Sequence, residues 1–394
     1  MNRPQIPLIT GVVLGLFASV YMIFISPFEI GTDFQAYYFA VQAWLSNGSI
    51  YAATPPNHPQ YHFLYLPATL LWFLPLGILP KWWLAYIVMV LISATAALLF
   101  ARSLIDVILD HGIELSNIDK ILFCAFLLLS TFAAPNLLQG QVNLLLGIAI
   151  GAGLLFQQSG YSRRAGLLVG LAATLKLFPA VVGFWFIYKR DWVALLVSIL
   201  TGITHIALSV AVFGLDTTTQ FFTEILPQRF ATEGGIRPES SFVTIRRPLS
   251  ALLGLEGTAL SLVALTIGVG IVVLVFWTAE SDLEKLLGLL ITILIAFPSY
   301  FLYLPILLYP LIPLLYIRAD WGIVIGTVLL TATFSLEHVV SVLRLSPGEI
   351  ANSLIGIATP FFSAMTLPLV GCLVLLAWLG LCARKQTGEN GVHR

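Results

Sequence analysis

Apolar stretches long enough to cross a bilayer recur from one end of this chain to the other, with short polar links between them. The first covers residues 7–27. Further spans are expected at 82–102, 119–135, 142–157, 192–213, 257–278, 285–298, 303–317, 321–337 and 357–382. Two stretches depart from the pattern. Residues 62–80 are apolar but carry Pro67, Pro75 and Pro80, which favours a re-entrant or surface-lying segment over a crossing. Residues 165–188 have Lys176 and Pro179 at their middle, so they are expected to enter and return as two half-length helices with Lys176 near the turn. Residues 34–46 put aromatic and small residues at helical spacing, which predicts a short interfacial helix ended by Asn47 and Gly48.

The polar links are 29–66, the segment RSLIDVILDHGIELSNIDK, and 214–248. Arg3 precedes the first span, which reads as a retained signal-anchor helix. Arg163/Arg164, Lys189/Arg190, Arg318 and Arg384/Lys385 flank other spans in short loops, and the positive-inside rule places them in the cytoplasm. Residues 29–66, 136–141, 214–248, 298–303 and 338–350 then share the opposite side, provided that 62–80 does not cross. The stretch 384–394 reads as a disordered cytoplasmic tail.

Composition strengthens this picture. Hydrophobic residues make up 59% and charged residues 10%, where a soluble domain carries roughly 25% charged. No long polar segment divides the spans, so residues 1–383 are expected to form one membrane-embedded domain with an all-α, polytopic fold of about 10–13 transmembrane or re-entrant helices. The net charge of zero offers nothing to nucleic acid. Cys124, Cys372 and Cys382 lie in apolar segments without metal-ligand spacing and read as packing or lipid-facing residues. Glycine-rich nucleotide loops, a serine elbow and CxxC are absent from the sequence.

Few polar side chains are left to carry chemistry. Asp33 sits at the mouth of the first span, with Tyr37 one helical turn on. Asp33 is either a solvated N-cap or a carboxylate against aromatic surface, able to act as a general base on a hydroxyl. Glu29 is a weaker competitor that can simply anchor the span end. Gln139, Gln141 and Asn143 are interhelical glue or amides that recognise sugar hydroxyls. Lys176 is too deep to snorkel easily, which makes it a candidate for holding a lipid phosphate. Arg229, Arg237, Arg246 and Arg247, with Ser240 and Ser241 close by, run against the positive-inside bias and suit phosphate or lipid headgroups. His58 and His62 flank Pro59 and lack a third ligand, so no metal site is expected. His338 beside Glu337 reads as a solvated pair.

In their order along the chain these features resemble glycosyltransferase family 87, whose members use polyprenol-phosphate sugars and have the glycosyltransferase C type membrane fold. GTDFQAYYFAVQAWLSNGSIY is similar to the family's Asp-x3-Tyr segment ending in Gly-x2-Tyr, here Asp33, Tyr37, Gly48 and Tyr51. FLYLPATLLWFLPLGILP, with Tyr65, resembles its aromatic-Tyr-Pro-Pro run, although only Pro67 stands where the family tends to have two prolines. LLQGQVNLLLGIAI resembles its Gly-Gln-x-Asn segment, and AGLLVGLAATLKLFPAVVGFWFIYKRDW its Lys-x2-Pro helix with a following basic pair and Trp. SSFVTIRR is similar to a Ser-containing stretch leading to Arg. FPSYFLYLP, with Ser299, Tyr300 and Tyr303, stands where the family often has a Ser-x-x-Trp-x-His cluster, and it lacks the Trp and His.

The resemblance implies an α-mannosyltransferase-like enzyme. It would move a hexose, typically mannose, from a polyprenyl-phosphate donor to a hydroxyl on a lipid or glycan acceptor, with inversion. Asp33 would be the base. Lys176 and Arg246 would face the phosphate, and Tyr37, Tyr51, Tyr65, Gln139, Gln141, Asn143 and Ser299 would bind substrate. No metal and no cofactor beyond the donor lipid is implied. The enzyme would be a multi-pass protein of the plasma or inner membrane, its site facing the periplasm or exterior. A transporter or flippase is the alternative reading. It predicts an internal repeat and several midplane charges, and the sequence has neither. The arginine cluster keeps an O-antigen-polymerase-like enzyme as a third.

Overall fold

Helix starts and stops in the structure follow local chemistry. α1 (Gln5–Phe24) ends ahead of Pro27, and α2 (Thr32–Leu45) starts from Gly31. Pro67–Gly77 forms a 3-10 turn running into α3 (Leu70–Gly77), followed by α4 (Trp82–Asp110). The Ser116 side chain caps α5 (Asn117–Leu129), and after a break come α6 (Ala134–Gln139) and α7 (Asn143–Gln158). α8 (Ser162–Leu175) and α9 (Val182–Tyr188) are the two halves of the proline-broken segment, and α10 (Trp192–Phe213) is capped by Asp191. α11 (Leu215–Gln220), a π-helical turn (Phe221–Ile225) and α12 (Leu226–Ala231) follow. Then come α13 (Arg246–Leu253), α14 (Gly257–Thr278) and α15 (Asp282–Ala296). A 3-10 run (Phe301–Leu307) leads into α16 (Leu308–Arg318), and α17 (Trp321–Thr331), α18 (Leu336–Leu343), α19 (Gly348–Ala364) and α20 (Leu367–Gly391) complete the chain. This computed structural model describes residues 2–231, 241–344 and 348–391, and the side chains of 229–231 and 382–391 lie outside the described part.

The fold is that of an all-α polytopic membrane protein. Among the described residues six helices or helix runs are long and apolar enough to cross a bilayer, or eight if each of two bent pairs counts as a span. Residues 67–77, 143–158 and 178–188 form shorter apolar helices. The single β-bridge described joins Phe242 to Tyr300.

Contacts sort the helix ends into two groups. At one end the Asp119 carboxylate accepts hydrogen bonds from Gln5 (3.0 Å) and Tyr316 (2.7 Å), joining α1, α5 and α16. There too Arg318 pairs with buried Glu284, Lys189 with Asp282 at 2.8 Å, and Arg3 stacks over Trp321 at 5.1 Å. At the other end, the Gly31 amide donates to the Leu138 carbonyl (2.7 Å) and the Tyr38 hydroxyl to the Leu79 carbonyl (2.7 Å). Residues 67–79 therefore return to the end they left, and α4 starts beside Gly31.

Several sequence expectations are corrected. The segment read as the polar loop 102–120 is helical to Asp110, because Arg102, Asp106 and Asp110 share an exposed face while Leu104 and Ile108 are fully buried opposite. Residues 321–337 form two helices meeting at 73°. The last span begins earlier than residue 357, at Gly348, and bends by 52° ahead of Pro368. α20 continues to Gly391, through most of the stretch read as a disordered tail. His338 is not a solvated partner of Glu337. It caps its own helix through Ser335 (2.6 Å) and packs against Tyr21.

α1 packs along α5 through Gly11 and Gly15, four residues apart on one face. A Cβ at Gly15 would collide with the backbone at Leu129–Thr131. Gly15→Val is expected to destabilise the protein by about 2 kcal/mol or more through overpacking. A lowered midpoint in detergent thermal unfolding would register it, and an unchanged midpoint would contradict this packing.

Candidate active site

Two glycines build the corner that holds the site. Gly31 (φ +71°) turns the chain from α1 into α2, and Gly140 (φ +71°) turns it from α6 into α7. A side chain at Gly140 would strike Phe34, and one at Gly31 would strike Trp82. Both positions need left-handed backbone and close approach, which glycine tolerates best. The Tyr86 hydroxyl donates to the carbonyls of Leu137 (3.1 Å) and Leu138 (2.9 Å), pinning the end of α6. Asp33, in the first turn of α2, is thereby set against Gln141.

Gln141 organises the polar cluster. Its Oε1 accepts from the Tyr37 hydroxyl (3.4 Å) and from Asn143 Nδ2 (3.4 Å). Its side chain also hydrogen-bonds Asp33, a contact that needs the amide NH2 as donor. Tyr37 and Tyr65 meet hydroxyl to hydroxyl at 3.1 Å, and the Tyr37 ring stacks on Phe73.

Lys176 enters from the other side. Pro179 has no amide proton to donate back to the Leu175 carbonyl, so α8 stops at Leu175 and a 3-10 turn restarts at Phe178–Val181. Lys176 is extended there, at the C-terminal end of a helix, where a cation is favoured. It is only 5% exposed, and its Nζ lies 4.0 Å from the centre of the Tyr303 ring, which in turn stacks on Phe178. Burial pushes the Asp33 carboxyl up to about 6. The Gln141 hydrogen bond and the Lys176 charge pull it down, and Glu29 raises it again. Asp33 thus feels the fields of both a cation and a second acid.

Six of the residues singled out from sequence converge: Asp33, Tyr37, Tyr65, Gln141, Asn143 and Lys176. Gln139 is offset and bonds to Glu29, which burial and Glu337 raise above its usual range. Tyr51 stands behind the cluster, its hydroxyl donating to the Tyr65 carbonyl (2.9 Å), so it supports Tyr65. Ser299 is buried, and its carbonyl accepts from the Val243 amide at 2.6 Å, docking residues 241–247 beside the 3-10 run. Arg246 opens α13 on that docked segment. Arg247 is fully buried and donates to the carbonyls of Phe242 and Phe362, a structural role. Arg237 and Ser240 lie outside the described residues, as does the Arg229 side chain.

Tyr303, Phe178 and Tyr61 were not among the candidates. Tyr61 sits by Thr32 within the field of Asp33 and Glu29. The tyrosine-rich run YFLYLP is the one sequence signal that pointed to Tyr303. Among the described residues no three His, Cys, Asp or Glu side chains gather as a metal site.

Over 240 residues the chain is 29% identical to a polyprenol-phosphate-mannose-dependent alpha-(1-2)-phosphatidylinositol pentamannoside mannosyltransferase of Mycolicibacterium smegmatis. The match covers 61% of this chain and 56% of the relative, so it spans little more than half of that protein's length. No solved structure matches. Residues 63–305 match the profile of Glycosyltransferase family 87, and since these are more than half of its length, the chain belongs to that family.

Proposed function

We propose that this protein is a membrane glycosyltransferase that moves a hexose, specifically mannose, from a polyprenyl-phosphate donor to a hydroxyl of a lipid or glycan acceptor, inverting the anomeric centre. The observation that carries this reading is the placement of one carboxylate, Asp33, between the amide of Gln141 and the field of a buried lysine. Family membership and the name of the mycobacterial relative support the reaction class and the donor.

The chemistry follows from the groups present. The acceptor oxygen attacks the anomeric carbon while the bond from that carbon to the phosphate oxygen breaks. The acceptor proton passes to Asp33, and the electron pair leaves on the phosphate. A base with a pKa raised to about 6 is ionised near neutrality yet holds a proton better than an exposed carboxylate. Charge grows on the phosphate as it departs, so a preorganised cation contributes most there. Lys176 fills that role, with Arg246 as the second cation from the docked loop. Gln141, Asn143, Tyr37 and Tyr65 supply donors and acceptors for sugar hydroxyls. The positive-inside assignment turns this end of the bundle to the periplasm or exterior.

Asp33→Asn is expected to lower transfer by about a hundredfold or more while the donor still binds. Transfer at the wild-type rate would refute the base assignment. The rate should rise with pH along a limb centred at about 6, because only ionised Asp33 accepts the proton. Lys176 pulls that pKa down, so Lys176→Met should move the limb to higher pH as well as slow turnover by about a hundredfold. An unmoved limb in Lys176→Met would separate the two groups and count against the proposal. A transporter would instead carry the sugar lipid across liposomes unchanged, which mass spectrometry of the lipid products distinguishes.

A further inference from the structure

Hydrogen-bond polarity in the polar cluster is fixed from one end. An ionised carboxylate only accepts, so the Gln141 side chain turns its amide hydrogens to Asp33 and its oxygen away. That oxygen is met by two donors, the Tyr37 hydroxyl and Asn143 Nδ2, each at 3.4 Å. Tyr37 has one proton to give. With that proton on Gln141, the 3.1 Å contact between the two tyrosine hydroxyls runs from Tyr65 to Tyr37. Two donor arms therefore converge on Gln141 Oε1, and Gln141 passes the same polarity on to Asp33.

Each arm has a rigid mount. Gln141 follows the left-handed Gly140, and its backbone amide donates to the Asn136 carbonyl at 2.8 Å. The Tyr37 ring stacks on Phe73 with centroids 4.4 Å apart, and the Tyr51 hydroxyl holds the Tyr65 backbone. Asn143, the first residue of α7, is fully buried.

Asn143 also shows what this polarity costs. Its Oδ1 is buried and has no hydrogen-bond partner among the described residues, an arrangement that destabilises a protein unless it serves another contact. Turning the Asn143 amide over would set Oδ1 against Gln141 Oε1, acceptor to acceptor. Turning Gln141 over as well would set an amide oxygen against the Asp33 carboxylate. The unmatched oxygen is thus the consequence of giving Gln141 a second donor.

We propose that Asn143 and Tyr37 are positioning residues for the base, which hold the Gln141 amide in the one orientation that donates to Asp33. This duty is separate from sugar recognition, and it rests on the functional reading above. Both residues act on transfer through Gln141. A loosened Gln141 stabilises the ionised carboxylate less, so Asp33 keeps its proton to higher pH.

Four variants of the full chain test this: Gln141→Met, Asn143→Leu, Tyr37→Phe and the double variant Asn143→Leu/Gln141→Met. Among the described residues the charged and titratable groups that face Asp33 are Lys176, Glu29, Tyr37 and Tyr61, and only Tyr37→Phe alters one of them. Gln141→Met should move the acidic limb of kcat/KM upward by about one pH unit or more, the loss of one hydrogen bond to a charged group. Asn143→Leu and Tyr37→Phe should each move it upward by about half as much, which lowers kcat/KM at pH 6 by about twofold or more. At pH 8, where Asp33 is ionised throughout, the donor KM should stay within about twofold of the wild type. The double variant should match Gln141→Met alone. Additive shifts in the double variant would overturn the proposal. A raised donor KM with an unmoved limb would make Asn143 a sugar ligand instead, and a lowered thermal midpoint with an unmoved limb would leave it a packing role only; either overturns the proposal. Should Asn143→Leu not fold, Tyr37→Phe carries the same test, since it keeps the ring that stacks on Phe73. If the wild type transfers no sugar, the functional reading fails by itself. Positioning is then read by infrared titration of isotope-labelled aspartate carboxyls, with Asp33→Asn identifying the band. The Asp33 midpoint should rise in Asn143→Leu and in Tyr37→Phe, and an unmoved midpoint in both refutes the assignment.

Discussion

A backbone amide or carbonyl left unpaired in hydrocarbon costs several kcal/mol, so a membrane helix can be interrupted only where something else satisfies the freed groups. This chain interrupts its helices repeatedly, and many of the breaks lean on one another. The Thr131 amide donates to the Gly11 carbonyl and its hydroxyl to the Thr331 carbonyl. Asn136 donates to the carbonyls of Phe132 and Leu302, and Gly31 to Leu138. The docked loop donates from Val243 and Ile245 to Ser299 and Ile295, and receives from Phe301 at Ser241. The Ser209 hydroxyl accepts from the Ala68 amide at the proline-rich turn. Non-helical backbone is thereby gathered towards one end of the bundle, and the polar side chains of the site stand in the middle of it.

The two ends use charge differently. At the Arg318 end, acids and bases are matched locally. Glu284 caps its own helix and pairs with Arg318, and Asp119 takes hydrogen bonds from three elements. Those groups hold helices in register. At the opposite end Asp33 and Lys176 sense each other's charge, with Asp33 held by an amide and Lys176 held over an aromatic ring. Tyr303, which faces Lys176, stacks on Phe178, and Phe73 stacks on Tyr37, so aromatic rings flank the two groups in a low-dielectric setting that strengthens their mutual field.

Much of the architecture was legible in the chain because bilayer thickness imposes a length on every apolar run. The spans at 192–213 and 257–278 fall where hydropathy puts them, and Pro179 splits its segment beside Lys176 as proline chemistry requires. Asp33, Gln141 and Lys176 could be singled out because few polar side chains interrupt the apolar runs. Less visible was anything that depends on which face a helix turns to its neighbours. The face of α4 that carries Arg102, Asp106 and Asp110 looked like a loop until the burial of Leu104 and Ile108 on the other side gave it a reason.

Sequence alone thus determined the membrane class, the approximate spans and the broken helix, and nominated a set of polar residues, since each depends on local composition and on the bilayer's fixed thickness. Tertiary structure alone decided which of those residues meet. Tyr51 turned out to stand behind Tyr65, Ser299 to anchor a loop by its backbone, and Arg247 to donate to two carbonyls. Tyr303, outside the candidate set, proved to face Lys176. Asp33 and Lys176 are far apart in the chain. They come within each other's field only because two left-handed glycines and a proline break bring α2, the α6–α7 corner and α8 to one place, and no local pattern encodes that meeting.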